Sequence, residues 1–386
     1  MPTTPTNALR AFQQESNAIF MPYGDAQNGV EVVETFDSYE AEYAAIRKSV
    51  VIFDMPQRGL VDVRGADRLA FLHSMITNDT ESLGPDQAQR AFLLAKTGRI
   101  AADLVVCRFG DEACRIDLDV FDAAPLVEVL DRYVFTEDVS LEDVSAQFHH
   151  LALHGPAAAR LVERISGQSV AGLESYRCAQ VVIADCPCPL YRRDETGSSG
   201  LHLLVATGHV RRVYESLADA VGGLVPQVQG GVRRDFEGRG TGWLAYNTAR
   251  IEAGTPVYHI DFGPDSLPHE TGPGLMGESI SFTKGCYLGQ EIVARMENLG
   301  HPKRVLAGIL FADEYLPIAG SQVFSSDEEG SNIGVVTSST VSPLLGGRAV
   351  AFAMFKWGRH RPDTRVKVAA EGRMLTGTVQ DMRFLS

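Results

Sequence analysis

From His301-Pro302 onward the chain changes character, and this limits its fold more than any other feature. Five short runs follow one another, "RVLAGILF", "SNIGVVTSST", "GRAVAFAMF", "TRVKVAA" and "RMLTGTVQDMRF", with turn residues between them. All five read as strands, so residues 301–386 are expected to form a small all-β domain of barrel type. Before that boundary strands and helices mix. Helical spacing covers 39–49. "RGLVDVRG" (58–65) alternates like a strand, and the next segment places Leu69, Leu72, Met75 and Ile76 on one helical face. Three strand-like runs follow, "QRAFLLAK", "GRIAADLVVCRF" and "ACRIDLDV", punctuated by Thr97-Gly98 and "GDE" as hairpins would be. A helix is expected over "APLVEVLDRYV". A second set begins near 147, with "FHHLALHGP", a helix starting near Pro156, "VVIAD", "LHLLVAT" and "HVRRVYESLADAV". This order predicts an α+β fold with antiparallel sheets. "QVQGGVRRDFEGRGTG" reads as a connection and "WLAYNTARIEAG" as a helix closed by Gly254. "HIDFGPDSLPHETGPGLMGES" reads as a long loop of the kind that carries function.

A chain of 386 residues is too long for one ordinary core, so two or three domains are expected. The net charge of −14 argues against broad binding to nucleic acid or an anionic membrane. No apolar run approaches the ~18 residues of a membrane span. The N-terminal stretch has neither the basic nor the apolar part of a secretion signal, so a cytoplasmic protein is expected. The six cysteines form no disulfide framework. Cys107, Cys114 and Cys178 read as packing residues. "CPCP" (186–189) has a C-x-C spacing but no partner pair, so no metal site is expected. His149 and His150 diverge in a strand. His154 and His202 read as packing or surface residues rather than ligands. Dinucleotide-binding, phosphate-loop and serine-hydrolase motifs are absent.

The stretch "TKGCYLGQEIVARMENLG" (283–300) fits a helix from Gln290 to Leu299, with Gly300 as a left-handed end. Cys286 precedes that helix. In an extended segment Lys284 and Cys286 leave the same side of the backbone, and an ammonium and a helix N-terminus both favour thiolate. The alternative is a small residue filling the space between Gly285 and Tyr287.

"KGCYLGQE" (284–291) resembles the YgfZ family, folate-binding proteins related to the glycine-cleavage T-protein (aminomethyltransferase, GcvT-like). "FLHSMITND" (71–79), "KTGRIAADL" (96–104), "ARIEAG" (249–254) and "GVVTSSTVSPLLGGRAVAF" (334–352) are similar to stretches of the same superfamily. The resemblance implies three domains. Two are interleaved α+β domains, residues 1–57 with 148–240 and 58–147 with 241–300, followed by a β-barrel over 301–386. It implies tetrahydrofolate or a one-carbon derivative as cofactor. Asp103 matches the T-protein's folate-facing carboxylate, the first acid of that pair being Ala102 here. Glu252 matches the glutamate that holds the pterin, and a carboxylate suits a pterin's N–H edge. Arg90 falls near the tyrosine before the T-protein hairpin; it would either meet folate's anionic tail, and is counted with the folate contacts, or be a surface arginine. Tyr287 and Gln290 count with the folate contacts, and Lys284 and Cys286, beside Asp103, with the catalytic groups. "RRDETGSSG" (192–200) keeps Thr196 and Gly197 of the T-protein's Gly-Tyr-Thr-Gly-Glu but lacks its tyrosine and acid, which weighs against aminomethyl transfer from a lipoyl carrier. The function implied is a tetrahydrofolate-binding protein that assists synthesis or maintenance of iron–sulfur enzymes, including those that modify tRNA. Its partners would be reduced folate and iron–sulfur proteins or their assembly factors, with no direct nucleic acid and no membrane. The alternatives are a folate-dependent aminomethyl- or methyltransferase of GcvT type, and an adaptor that has lost folate.

Overall fold

The structure, a computed structural model, describes residues 8–24, 29–111, 113–225, 238–327 and 330–385. It divides into two compact units. The first comprises Met1–Leu72, Thr80–Gln89 and Leu104–Tyr246, the second His73–Asp79, Arg90–Asp103 and Asn247–Ser386. Among the described residues no helix is long and apolar enough to cross a membrane.

The first unit is built on a six-stranded sheet in the order Cys178–Ile183, Cys186–Arg192, Gly200–Ala206, Phe148–His154, Val51–Asp54, Arg239–Thr241. All neighbours are antiparallel except the last pair, where Arg239–Thr241 runs parallel to Val51–Phe53. Alternation gives this sheet two different faces. Leu151, Leu153, Leu201, Leu203 and Val205 pack on one face with Leu161, Val162, Val213 and Leu217 of the Ala158–Ser166 and Val210–Val221 helices. His150, His154, His202 and Tyr191 occupy the intervening positions and point the other way.

A five-stranded sheet follows the order Gln87–Leu94, Ile100–Phe109, Ala113–Asp119, Arg58–Arg64, Ser140–Asp143. The end of its first hairpin, residues 90–103, groups with the second unit. That unit also holds a closed barrel of six strands, Arg304–Phe311, Arg348–Lys356, Asn332–Ser342, Gln322–Ser325, Arg365–Ala370 and Arg373–Gln380. Arg365–Ala370 alternates strictly between exposed and buried, as a small barrel with a filled interior requires. The mixed α+β class, the antiparallel sheets and the terminal barrel match the expectation from sequence.

Several local expectations need correction. "CPCPLYR" is a strand, Cys186–Arg192, with both cysteines buried in the core. Its prolines are tolerated because Cys186–Pro189 pairs on one side only, the second neighbour engaging from Leu190 onward. The run 259–279 is not a bare loop. It holds a 3₁₀ turn, Pro268–Thr271, and a short helix, Pro273–Ser279, started by a proline at its first turn. The helix after Ala66 is Arg68–Met75, and Ile76 instead bridges to Leu93. Most of "QVQGGVRRDFEGRGTG" lies outside the described residues, but Arg239–Thr241 is a strand rather than a connection. Gly300 ends the Gln290–Leu299 helix with φ −150°, an extended rather than left-handed conformation; the left-handed glycine is Gly289, at the helix start.

Candidate functional site

The hairpin that carries Asp103 turns through Gly98, whose φ of +74° few side chains accept. Ala102 is buried, and Asp103 leaves the opposite face of the strand with 12% of its side chain exposed. Across the hairpin, Arg90 Nε donates to Asp103 Oδ1 at 2.8 Å and Nη2 donates to Oδ2. Nη1 reaches Glu278 Oε2 at 3.4 Å. One buried guanidinium thus holds two carboxylates, the Asp103 contact being a two-point fork of the stronger, charge-assisted kind. This answers the expectation for Arg90: its charge is engaged by Asp103 and Glu278.

The segment 284–293 is fastened to this hairpin. Lys284 Nζ donates to the carbonyls of His73, Ile76 and Asn78 and lies 5.0 Å from the centre of the Tyr287 ring. The sequence expectation that Lys284 activates Cys286 is therefore corrected. Its ammonium is committed to three carbonyl oxygens left open where the Arg68–Met75 helix stops, while Cys286 is an exposed thiol. Tyr287 is buried with Phe92, Leu94 and Ile100, and burial pushes its phenol up to about 12. Gln290 opens the helix, its amide donating to the Tyr287 carbonyl at 3.2 Å. A Cβ on Gly289 would stand 2.8 Å from the Ala95 carbonyl oxygen, and one on Gly98 would stand 2.5 Å from Ile292 Cβ. Each glycine lets one segment approach the other. Gly289→Ala, strained by both its φ of +81° and this contact, is expected to lower stability by about 1–3 kcal/mol, read from urea unfolding.

Glu252 is fully buried. Its carboxylate accepts from the Ser342 hydroxyl, and its carbonyl accepts from the Phe384 and Leu385 amides at 2.9 and 3.2 Å. Within the second unit a cavity of about 820 Å³ is walled by Arg90, Met276, Glu278, Met296, His301 and Trp357 among others. Neither Asp103 nor Glu252 lines it.

A second cluster went unnoticed in the sequence. On the polar face of the six-stranded sheet, in the first unit, His150, His154 and His202 are buried with Asp117, Tyr191 and Glu195. Asp117 pairs with Arg58 at 2.6 Å and accepts from the Tyr191 hydroxyl. Burial works to raise its carboxyl, but Arg58, then His150 and the Tyr191 bond, outweigh burial and hold it below the usual range. For Glu195 burial again opposes ionisation, and Arg193, 2.9 Å away, leads the charges that hold it well below the carboxylate range. Burial pushes His150 and His154 down to about 4, and His202 well below an ordinary imidazole. The signal was present in the sequence: His150 and His154 are four residues apart in a strand, which puts them on one face as surely as four residues in a helix do.

Chain-wide comparison now defines the class. Residues 9–279 match the GCVT N-terminal domain, and residues 304–385 match the glycine cleavage T-protein C-terminal barrel domain. The chain belongs to the glycine cleavage T-protein family. Aminomethyltransferases from Geobacillus kaustophilus and Shouchella clausii are 29% and 28% identical to it, over 92% of this chain in both cases and over 93% and 92% of theirs. The crystal structure of glycine cleavage system aminomethyltransferase T from Bartonella henselae shares the fold with a TM-score of 0.85 at 21% identity, covering 99% of this chain and 98% of that one. These findings overturn the expectation of a YgfZ-type helper of iron–sulfur enzymes. An eight-residue match had carried that reading, whereas the matches along 357 to 359 residues are to aminomethyltransferases. The iron–sulfur partners and the link to tRNA modification have no support either.

Proposed function

We propose that the chain is a folate-dependent aminomethyltransferase of T-protein type. The observation that carries this reading is the end-to-end match to aminomethyltransferases, joined to one retained acid, Asp103, on the hairpin the resemblance assigns to folate. Reduced folate supplies the amine that accepts the one-carbon unit. Asp103 takes or relays the proton of that amine, a contribution worth about 10²–10⁴-fold. Arg90 orients the carboxylate through its two-point fork. In this reading Glu252 anchors the barrel to the helix that bears it, because its carboxylate is buried on Ser342. Tyr287 packs against the hairpin, the Gln290 backbone amide bonds the Tyr287 carbonyl, and Lys284 ties the segment to residues 73–78.

We also propose the interleaved division of residues 1–300. It is supported by sheet membership: strands from 51–54, 148–206 and 239–241 share one sheet, and strands from 58–143 share the other.

The test is turnover of tetrahydrofolate by the purified protein with an aminomethyl-loaded lipoyl carrier, followed by release of ammonia. Release coupled to folate consumption supports the reading, and no turnover beside an active relative sinks it. Cys286→Ser is expected to leave that rate within about twofold, since Lys284 is committed elsewhere. A rate loss beyond tenfold would return Cys286 to the chemistry.

A further inference from the structure

We infer that His154, His202 and Glu195 form a binding site for a divalent transition-metal ion of the zinc type inside the first unit. One ligand atom from each lies within 4.8 Å of the others, and all three side chains are buried. Both ring nitrogens of His154 lack a hydrogen-bond partner, and so does His202 Nε2. A buried polar atom left in this state costs on the order of 1–3 kcal/mol, and one nitrogen of His154 meets His202 Nε2 and a Glu195 oxygen around a point that an ion could occupy.

Counting protons shows what that occupant must be. Asp117, paired with Arg58, accepts only. His150 Nδ1 stands 3.3 Å from it and must therefore carry the hydrogen. Its other nitrogen, Nε2, meets His202 Nδ1 at 2.9 Å. With one hydrogen on each ring, at Nδ1, His202 donates there and its Nε2 is a bare lone pair. That lone pair faces Glu195 Oε2, another acceptor, at 3.5 Å. Two lone pairs directed at each other repel unless a cation lies between them. The chain Asp117–His150–His202 is the outer-sphere arrangement that fixes the tautomer of a metal-bound histidine. Tyr246 donates to Glu195 Oε2 at 3.1 Å and Arg193 pairs with Oε1, so the carboxylate is oriented too. Neutral imidazoles with one carboxylate suit zinc and its neighbours. A proton on His202 Nε2 would also relieve the repulsion, but it leaves both nitrogens of His154 without a partner.

The inference does not rest on the transfer reading, and its test does not read transfer. The full chain is stripped with a chelator and titrated with cobalt(II), whose visible absorption reports imidazole coordination, and zinc is then added as competitor. About one equivalent per chain should bind, zinc should displace it, and zinc should raise the melting temperature. Glu195→Gln, close to the native shape, should weaken cobalt binding at least about 100-fold, and Asp117→Asn about 10–100-fold. Wild-type protein that takes up no cobalt overturns the inference without any variant having to fold. So does binding that Glu195→Gln and His202→Asn leave unchanged.

Discussion

Asp103→Asn is expected to lower the rate of aminomethyl transfer about 10²–10⁴-fold while the protein stays folded. Asparagine keeps the size of the side chain and one carbonyl oxygen for Arg90, so one of the fork's two hydrogen bonds remains while the charge and the second acceptor are lost. The proton acceptor is gone. Asp103→Ala removes more. It leaves the guanidinium of Arg90, 3% exposed, with Glu278 as its remaining carboxylate, so this variant should lose stability as well as rate. The pair of variants therefore separates two roles. Loss of kcat with an unchanged melting temperature in Asp103→Asn places the carboxylate in proton transfer. A rate within tenfold of wild type in Asp103→Asn would reduce Asp103 to a partner that holds Arg90 in place. Raised KM with unchanged kcat would mean that it binds folate equally in ground and transition states.

The sequence was most legible where a period or a turn residue decided the local structure. Short strand-like runs separated by turn residues after His301-Pro302 announced the barrel, and Thr97-Gly98 announced the hairpin that presents Asp103. It was least legible where partners come from distant segments. Lys284 could be placed beside Cys286 by spacing alone, but the three carbonyls that take its ammonium belong to His73, Ile76 and Asn78, more than 200 residues earlier. The strand Cys186–Arg192 was missed because its prolines argue against a strand until one sees that their half has a single neighbour. The histidine cluster was missed for a different reason. A ligand search by helical spacing passes over strand spacing, and His202 joins His150 only through a register in which it pairs opposite Ala152. The octapeptide misled because its residues are conspicuous for packing. Tyr287 and Gly289 fit against the hairpin tip, as does Ile292 just beyond the octapeptide, a task that says nothing about which partner the protein serves.

The stretch Arg250–Gly254 offers the largest expected effect on stability. Arg250 and Asp261 are both fully buried, and Arg250 Nη1 donates to Asp261 Oδ2. Other partners surround them. Arg250 Nε donates to Asn247 Oδ1 at 2.9 Å and Nη2 to Ser338 Oγ at 2.8 Å. Asp261 accepts from Thr337 Oγ1 and the Val257 amide, both at 2.9 Å, and from Ser338 Oγ at 2.5 Å. Burying two charges is costly, and mutual attraction offsets that cost only when the remaining lone pairs and protons find partners, as four of the five N–H groups of Arg250 and both oxygens of Asp261 do here. Removing one partner leaves the other charged, buried and alone. Arg250→Met and Asp261→Leu should each destabilise by about 3–5 kcal/mol in urea unfolding. The double variant should cost clearly less than the sum, because neither charge is then stranded. Additive losses would mean that the hydroxyls of Thr337 and Ser338, rather than the ion pair, hold the barrel strand to this helix. Glu252 and Gly254 extend the same anchorage. Ser342 lies four residues beyond Ser338 on that strand and donates to Glu252, and a Cβ on Gly254 would stand 2.9 Å from the Arg383 amide nitrogen. Arg250, Glu252 and Gly254 thus all contact the barrel or the segment that follows it, and the double variant measures how firmly the ion pair holds that contact.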